Sequence, residues 1–217
     1  LDRITKDTKI IFLNNPNNPT GSSVSADALG RFLDAVPADV VVALDEAYIE
    51  FAPEQSTASG LAFLDRYPLL VVLRTFSKLY GLAGLRIGYG FTSRKMADYM
   101  NRVRQPFNAN TLAQTGALAA LEDTAFVSKT LQVVRDGLRY LYQSLEAMGL
   151  DTVPTSTNFF LIKVPGGARQ VYEGMLRQGV IVRSMESYGL PGYIRISVGQ
   201  KSENERFIKT LKRVLKL

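Results

Sequence analysis

The 217-residue sequence contains neither cysteine nor histidine. Without cysteine the chain forms no disulfide and offers no thiolate, and without histidine it lacks the commonest general base and the commonest metal ligand. Acid–base chemistry must therefore fall to lysine, tyrosine, aspartate or glutamate. No apolar run approaches the length that spans a bilayer, and no pattern typical of a signal peptide or a nucleic-acid-binding motif occurs. We expect a site without metal and a protein with neither membrane nor nucleic-acid partners.

What the chain does contain is ordinary for a globular protein: 46% hydrophobic and 21% charged residues, enough for one good core or two small ones. The formal net charge of +6 favours anionic ligands such as phosphates and carboxylates. A solvated basic surface is the simpler explanation, because the cations are scattered apart from one modest cluster in the last nine residues.

The first half of the chain alternates short β-branched runs with helical segments. Strands are predicted at 9–13, 40–45 and 69–74, a helix capped by Ser25 at 25–36, and a weaker helix at 60–67. Strands that alternate with helices favour a parallel sheet with helices on both faces. The sequence therefore predicts the α/β class.

The second half is mainly helical and then changes style. After a further strand at 86–92, helices are predicted at 95–104, 111–122 and 125–148, the last with a one-sided apolar stripe that indicates a packing seam. Strands at 158–164, 180–183 and 193–198, a helix at 168–178, and a final helix with a capping box of Ser202 and Glu205 complete the chain. We divide it into a sheet-containing part, 1–110, connecting helices, 111–150, and a small α+β C-terminal domain, 151–217.

Polar residues follow the first three strands directly, at 14–21, 45–48 and 75–78. The carboxyl ends of parallel strands share one edge of a sheet, where ligands of open α/β sheets bind. This edge would offer a lysine, an aspartate, a tyrosine, an asparagine and hydroxyls, with Arg86 a few residues beyond. Such a set suits an aldehyde cofactor that carries a phosphate and a pyridine nitrogen.

Five strings, in order along the chain, resemble the histidinol-phosphate aminotransferase family: NPNNPTG, LDEAY, TFSKLYGLAGLRIGY, RQPFNANTLAQ and YIRISVGQKSEN. The resemblance covers essentially the whole chain. It implies the aspartate-aminotransferase-like fold (fold type I), a mostly parallel sheet flanked by helices, with 1–110 as the C-terminal portion of the large cofactor-binding domain. It also implies the cofactor pyridoxal 5'-phosphate, a cytoplasmic homodimer, and transfer of an amino group between histidinol phosphate and 2-oxoglutarate.

The resemblance assigns the cofactor-binding residues one by one. Lys78 would form the Schiff base, which requires the neutral amine, and then move the proton between the substrate and the cofactor. Asp45 would pair with the pyridine nitrogen, and Asn18 and Tyr48 would hydrogen-bond the ring oxygen. The cofactor phosphate would be held by three residues, namely Thr75, Ser77 and Arg86.

Two further arginines are assigned to the substrate. Arg195 matches the arginine that holds the substrate α-carboxylate, a planar target suited to a guanidinium. Arg183, in the string GVIVR, matches a position linked in the family to the substrate phosphate. An internal ion pair is the alternative for Arg195, because a charge inside an apolar strand needs a partner.

The chain is shorter than members of the family, which carry an N-terminal part that completes the cofactor site. We therefore expect it to be a fragment that binds the cofactor weakly and does not turn over by itself. Two other functions stay open: another fold-type-I enzyme, such as an aromatic aminotransferase or threonine-phosphate decarboxylase, and a non-catalytic ligand-sensing domain of aminotransferase descent.

Overall fold

A four-stranded sheet forms the centre of the first part of the chain. In a computed structural model that describes residues 1–53 and 57–217, its strands are β1 (Ile10–Asn14), β2 (Val41–Asp45), β3 (Leu70–Thr75) and β4 (Gly88–Thr92). They lie in the order β1-β2-β3-β4. The first three are parallel and β4 is antiparallel to β3. The mostly parallel sheet predicted from the alternating pattern is confirmed.

Three helices accompany this sheet: α1 (Ala26–Ala35), α2 (Arg94–Val103) and α3 (Thr111–Glu122). Ser25 caps α1 as predicted, since its hydroxyl accepts a hydrogen bond from the Ala28 N–H at 3.3 Å. The helix predicted at 60–67 is only a 3-10 turn, Gly60–Phe63. Pro68 disfavours helical backbone at Tyr67, so no helix continues through the end of the predicted segment.

The sheet and α1 enclose one apolar core. Apolar residues on successive strands face the helix, because side chains two apart along a strand share a face. Its buried members are Leu29, Leu33, Val42, Leu44, Ala58, Leu70 and Val72. On β1, by contrast, Ile10 and Phe12 are 52% and 74% exposed.

The second part of the chain contains α4 (Thr124–Glu146), α5 (Ala168–Arg177) and α6 (Lys201–Leu215). Its antiparallel sheet has the order β5-β7-β6 and consists of β5 (Phe159–Lys163), β6 (Arg183–Ser184) and β7 (Tyr193–Ser197). Leu141 and Leu145 of α4 are buried, so the apolar stripe is a packing seam as predicted. The core also includes Phe160, Ile162, Val171, Met175, Ile194, Ile196, Phe207, Ile208 and Leu211.

Two predictions for this region are wrong. The strand predicted at 180–183 shrinks to β6, because the Val180 N–H closes the end of α5 by donating to the Met175 carbonyl at 3.0 Å. The capping box lies two residues earlier than predicted. The Gln200 N–H donates to Glu203 Oε2 at 2.7 Å, and α6 begins at Lys201. In both places a local hydrogen bond from a backbone N–H sets the element boundary.

The chain divides into two units. One comprises Leu1–Asn17 with Ser22–Val127, and the other comprises Asn18–Gly21 with Ser128–Leu217, so that α4 begins in the first and continues in the second. The division at 110 and 150 stays a prediction. Within residues 1–53 and 57–217, no helix has both the length and the apolarity to cross a membrane.

Candidate active site

The polar strand ends of the first unit meet at one edge of its sheet. Asn14 at the end of β1 pairs with Asp45 at the end of β2, and Asp45 pairs with Leu73 of β3. Residues that pair in register share a face, so Asp45 lies on the same face as Thr75, two residues beyond Leu73. The structure therefore brings the second and third polar clusters together as predicted from the parallel order.

Lys78 stands just beyond β3 in a tight turn. The Ser77 N–H donates to Thr75 Oγ1 at 3.0 Å, and the Gly81 N–H donates to the Lys78 carbonyl at 3.0 Å. The side chain is exposed, and its Nζ lies 5.1 Å from the centroid of the Tyr48 ring. In the described part of the chain no carboxylate lies within ion-pair distance of this amine. The turn thus presents an accessible amine beside an aromatic ring.

Asp45 and Tyr48 line the same edge from β2. Asp45 is half-buried, and its Oδ1 accepts a hydrogen bond from the Ala47 N–H at 3.0 Å. That bond fixes the carboxylate at the strand end. Tyr48 is only 8% exposed, so its ring is held by packing.

Arg86 has a left-handed backbone, with φ 56° and ψ 54°. Its exposed guanidinium donates to the Ala83 carbonyl at 2.7 Å. A non-glycine residue in this region costs of the order of 1–3 kcal/mol and persists only where its surroundings impose it. Such conformations concentrate at functional sites, which singles out Arg86 from the scattered surface arginines.

The second unit holds Asn18, Arg195 and Arg183. Arg195 on β7 donates from Nη1 to Asn18 Oδ1, and its guanidinium lies 4.6 Å from the centroid of the Phe159 ring. Arg183 is exposed and donates to the Tyr188 hydroxyl at 2.9 Å. The two arginines are register partners on β6 and β7, and they line a cavity of about 470 Å³. The two guanidinium groups attract anions, whereas the Glu203 carboxylate in the same lining opposes them.

A buried ion pair in the first unit escaped the sequence analysis. Glu46 is completely buried, and its Oε2 lies 2.8 Å from Arg74 Nη2 and 2.9 Å from Arg74 Nε. Glu46 Oε1 accepts from the Gly60 N–H at 2.6 Å, and the Ser59 hydroxyl lies 3.4 Å from Oε2. The signal was Arg74 itself, a charge at the end of the apolar run LLVVLR, which needs a partner.

A second residue that the sequence analysis missed is Asn15, in the loop after β1. It is 1% exposed and donates from Nδ2 to the Ala58 carbonyl at 2.9 Å, while its Oδ1 accepts from the Val24 N–H at 2.9 Å. These two bonds fix the start of the loop. In the sequence, an asparagine at this place indicates only a simple turn.

Glu50 lies near the ion pair with one carboxylate oxygen buried and without a hydrogen bond in the described part of the chain. Burial raises the pKa of the Glu50 carboxyl above its ordinary value of 4.5; its own backbone N–H and Arg74 oppose the rise, and Glu46 adds to it. Tyr80 and Tyr89 also face this group. A raised folded-state pKa favours folding below pH 4.5, an advantage that is lost as the pH rises through the folded pKa.

We therefore expect Glu50→Gln to raise the melting temperature by about 2 °C at pH 7, because the variant buries no charge there. The difference from the unchanged chain should vanish below pH 4.5. Thermal melts across pH 4 to 8 provide the check, with the exposed Glu122→Gln as a control that should shift little at any pH. A difference that stays constant over this range would contradict the prediction.

The loop 14–21 ends at Gly21. Its φ of 76° lies in the left-handed region that favours glycine, and a neighbouring side chain leaves no room for a Cβ. A Cβ there would overlap the Thr155 side chain. We expect Gly21→Ala to lower the free energy of unfolding by about 2–3 kcal/mol, through strain and overlap together. Gly149→Ala is the matched control in urea unfolding, since Gly149 has a φ of 70° but nothing within 4 Å of the added carbon. Equal losses for the two variants would mean that the overlap contributes nothing.

The fold and the polar residues at the carboxyl edge of its sheet define an α/β protein with a candidate site at that edge. The chain belongs to the family of class I and II aminotransferases, whose family model matches residues 1–211. Histidinol-phosphate aminotransferase 2 of Pseudomonas aeruginosa is 47% identical over 215 residues, which cover 99% of this chain and 58% of that protein. This chain therefore spans less than two thirds of that relative's length.

Two solved structures illustrate the shared fold. Histidinol-phosphate aminotransferase of Sinorhizobium meliloti, in complex with pyridoxal-5'-phosphate, matches with a TM-score of 0.86 and 28% identity over 95% of this chain and 57% of that one. L-threonine-O-3-phosphate decarboxylase of Porphyromonas gingivalis matches with a TM-score of 0.81 and 25% identity over 98% of this chain and 66% of that one. The predicted aspartate-aminotransferase-like fold class is thereby confirmed.

Proposed function

We propose that this chain carries the cofactor-binding lysine of a pyridoxal-phosphate-dependent aminotransferase. The observation that carries the proposal is the accessible amine of Lys78, held 5.1 Å from the Tyr48 ring at the sheet edge where Asp45 also lies. When bound, the cofactor supplies an electron sink for the substrate α-carbon. Lysine, carboxylate, phenol and hydroxyls at one strand edge are the groups that its aldehyde, pyridine nitrogen, ring oxygen and phosphate require.

The family resemblance gives each residue a role that suits its chemistry. Lys78 would hold the cofactor aldehyde and would carry the proton to and from the substrate. Asp45 would pair with the pyridine nitrogen, and the hydroxyls of Thr75 and Ser77 would hold the phosphate with Arg86. Tyr48 would bond the ring oxygen. Asn18 is assigned to the cofactor by family resemblance alone.

We propose histidinol phosphate and 2-oxoglutarate as the substrates of the whole protein. The opposed pair of Arg183 and Arg195 supports this, because both substrates are anions and guanidinium groups bind carboxylates and phosphates. Arg195 takes the α-carboxylate of the acid, and Arg183 takes the phosphate. A cytoplasmic homodimer is part of the same proposal and rests on family resemblance.

Threonine-phosphate decarboxylation is the second candidate, because a decarboxylase of that specificity shares the fold at a TM-score of 0.81. Its substrate also carries a carboxylate and a phosphate, so the two arginines serve it equally. An assay with each substrate separates the candidates: amino transfer to 2-oxoglutarate supports the aminotransferase, and release of carbon dioxide supports the decarboxylase.

The direct test is to add pyridoxal phosphate, record the visible absorbance, reduce with borohydride and map the modified peptide. We expect the label on Lys78, in low yield in this chain and in high yield in a longer form extended to the length of its relatives. Labelling of other lysines at the same yield would show that the reaction is unspecific. Absence of a Lys78 label in both forms would overturn the proposal.

A further inference from the structure

We infer that the buried Glu46–Arg74 ion pair is a positioning device that sets the spacing between Asp45 and the Thr75–Lys78 segment. The inference rests on the proposed function, since it assigns a role to residues behind the cofactor-binding set. It concerns two side chains that touch neither cofactor nor substrate in that proposal.

Both residues of the pair are sequence neighbours of proposed cofactor-binding residues. Glu46 follows Asp45 directly, and Arg74 precedes Thr75 directly. The Glu46 N–H donates to the Leu73 carbonyl at 2.8 Å, so the β2–β3 ladder continues one residue beyond Asp45. Successive side chains along extended backbone lie on opposite faces. Glu46 and Arg74 therefore share one face at this end of the sheet, and Asp45 and Thr75 share the other.

The geometry of the ion pair leaves its two side chains little freedom. Two nitrogens of Arg74 bind one oxygen of Glu46, at 2.8 and 2.9 Å, and the Gly60 N–H binds the other at 2.6 Å. Arg74 Nη2 also donates to the Ser59 hydroxyl at 3.2 Å. A guanidinium fork on a fully buried carboxylate fixes distance as well as direction. The strand ends are thus joined by rigid side chains in addition to the backbone ladder.

The core also fits closely around Gly60, which donates to Glu46. A Cβ at this position would lie 2.6 Å from Leu44 Cδ2 and 2.7 Å from Val72 Cγ2. Glycine is therefore required for the backbone N–H to reach Glu46. Because the core around Gly60 has no room for even one methyl group, a change in the ion pair displaces both strands.

Stability alone does not explain why an ion pair is placed here. Replacing a buried pair by apolar side chains of similar volume is often neutral or stabilising. A purely structural role would therefore be met by two methionines. A positioning role would not, because flexible apolar side chains specify no distance.

The experiment uses whichever form of the protein labels at Lys78 with pyridoxal phosphate. The variants are Glu46→Gln, Arg74→Lys and the double replacement of Glu46 and Arg74 by methionine. Leu29→Ala is the control, because it weakens the same core away from the strand ends. For each, we measure the melting temperature without cofactor, the dissociation constant for pyridoxal phosphate, and the pH midpoint of the visible absorbance band.

We expect the double methionine variant to melt near the unchanged protein and yet to bind pyridoxal phosphate about tenfold or more weakly, with a shifted pH midpoint. Arg74→Lys should weaken binding while keeping the charge, because it loses the fork. Leu29→Ala should lower the melting temperature only. If the dissociation constant follows the melting temperature in all variants, or if the double variant binds normally, the inference is wrong. If no form labels at Lys78, the proposed function falls, and this inference with it.

Discussion

Replacing Lys78 with alanine is expected to abolish the covalent labelling of the protein by pyridoxal phosphate and borohydride. It should also slow amino transfer by the longer form by a factor of about 10²–10⁴, which is the usual contribution of a positioned proton-transfer group. The described turn after β3 contains no second lysine, so no other amine there can replace that of Lys78. Peptide mapping and a transamination assay with histidinol phosphate measure the two effects.

Lys95→Ala is the matched control for this prediction. Lys95 is exposed like Lys78, and its Nζ also lies over a tyrosine ring, 5.9 Å from the centroid of Tyr99. It belongs to α2, however, and not to the sheet edge. Its replacement should leave labelling and activity unchanged. Retention of the label on Lys78→Ala, or equal losses in both variants, would refute the role of Lys78.

The second large effect is on stability. Arg74→Met leaves the carboxylate of Glu46 buried without its cation, and breaking a buried pair in this way costs about 3–5 kcal/mol. We therefore expect the free energy of unfolding of the chain to fall by that amount and its melting temperature by about 10 °C. Urea unfolding at pH 7 gives the free energy, and a thermal melt gives the temperature.

Arg139→Met tests whether the burial of the pair is the cause. Arg139 contacts Asp136 at 3.2 Å, but its side chain is 68% exposed, whereas that of Arg74 is 18% exposed. Exposed pairs contribute about 0–1 kcal/mol, so this variant should lose little. A loss below about 1 kcal/mol for Arg74→Met as well would show that water or another group satisfies Glu46.

The sequence predicted most of the sheet edge because the evidence for it is local. Three β-branched runs separated by helical segments require parallel strands, and parallel strands place Asp45 and the turn before Lys78 at one edge. The bounds of α3, Thr111–Glu122, also agree with the prediction, since Asn110 caps the helix from the adjacent position. The assignment of roles to these residues stays a prediction.

The sequence did not reveal the features that depend on distant partners. Glu46 and Arg74 are 28 residues apart, and neither hydrophobic period nor turn chemistry indicates that they meet. The short β6 has a different, local cause, because the Val180 N–H bonds the Met175 carbonyl at the end of α5 and so competes with strand pairing. Local propensity describes what a segment prefers, whereas tertiary contacts decide which preference is satisfied.

The exposed side of β1 has a consequence for handling the protein. In the described part of the chain β1 is an edge strand that pairs with β2 alone. The side chains of Ile10 and Phe12 on it are largely exposed. An apolar edge strand with unpaired N–H and C=O groups is a template for pairing with another extended chain. Solutions of this chain should therefore become turbid as they are concentrated, and charged replacements at position 12 should delay this. Cofactor titrations on dilute protein would keep light scattering out of the absorbance record.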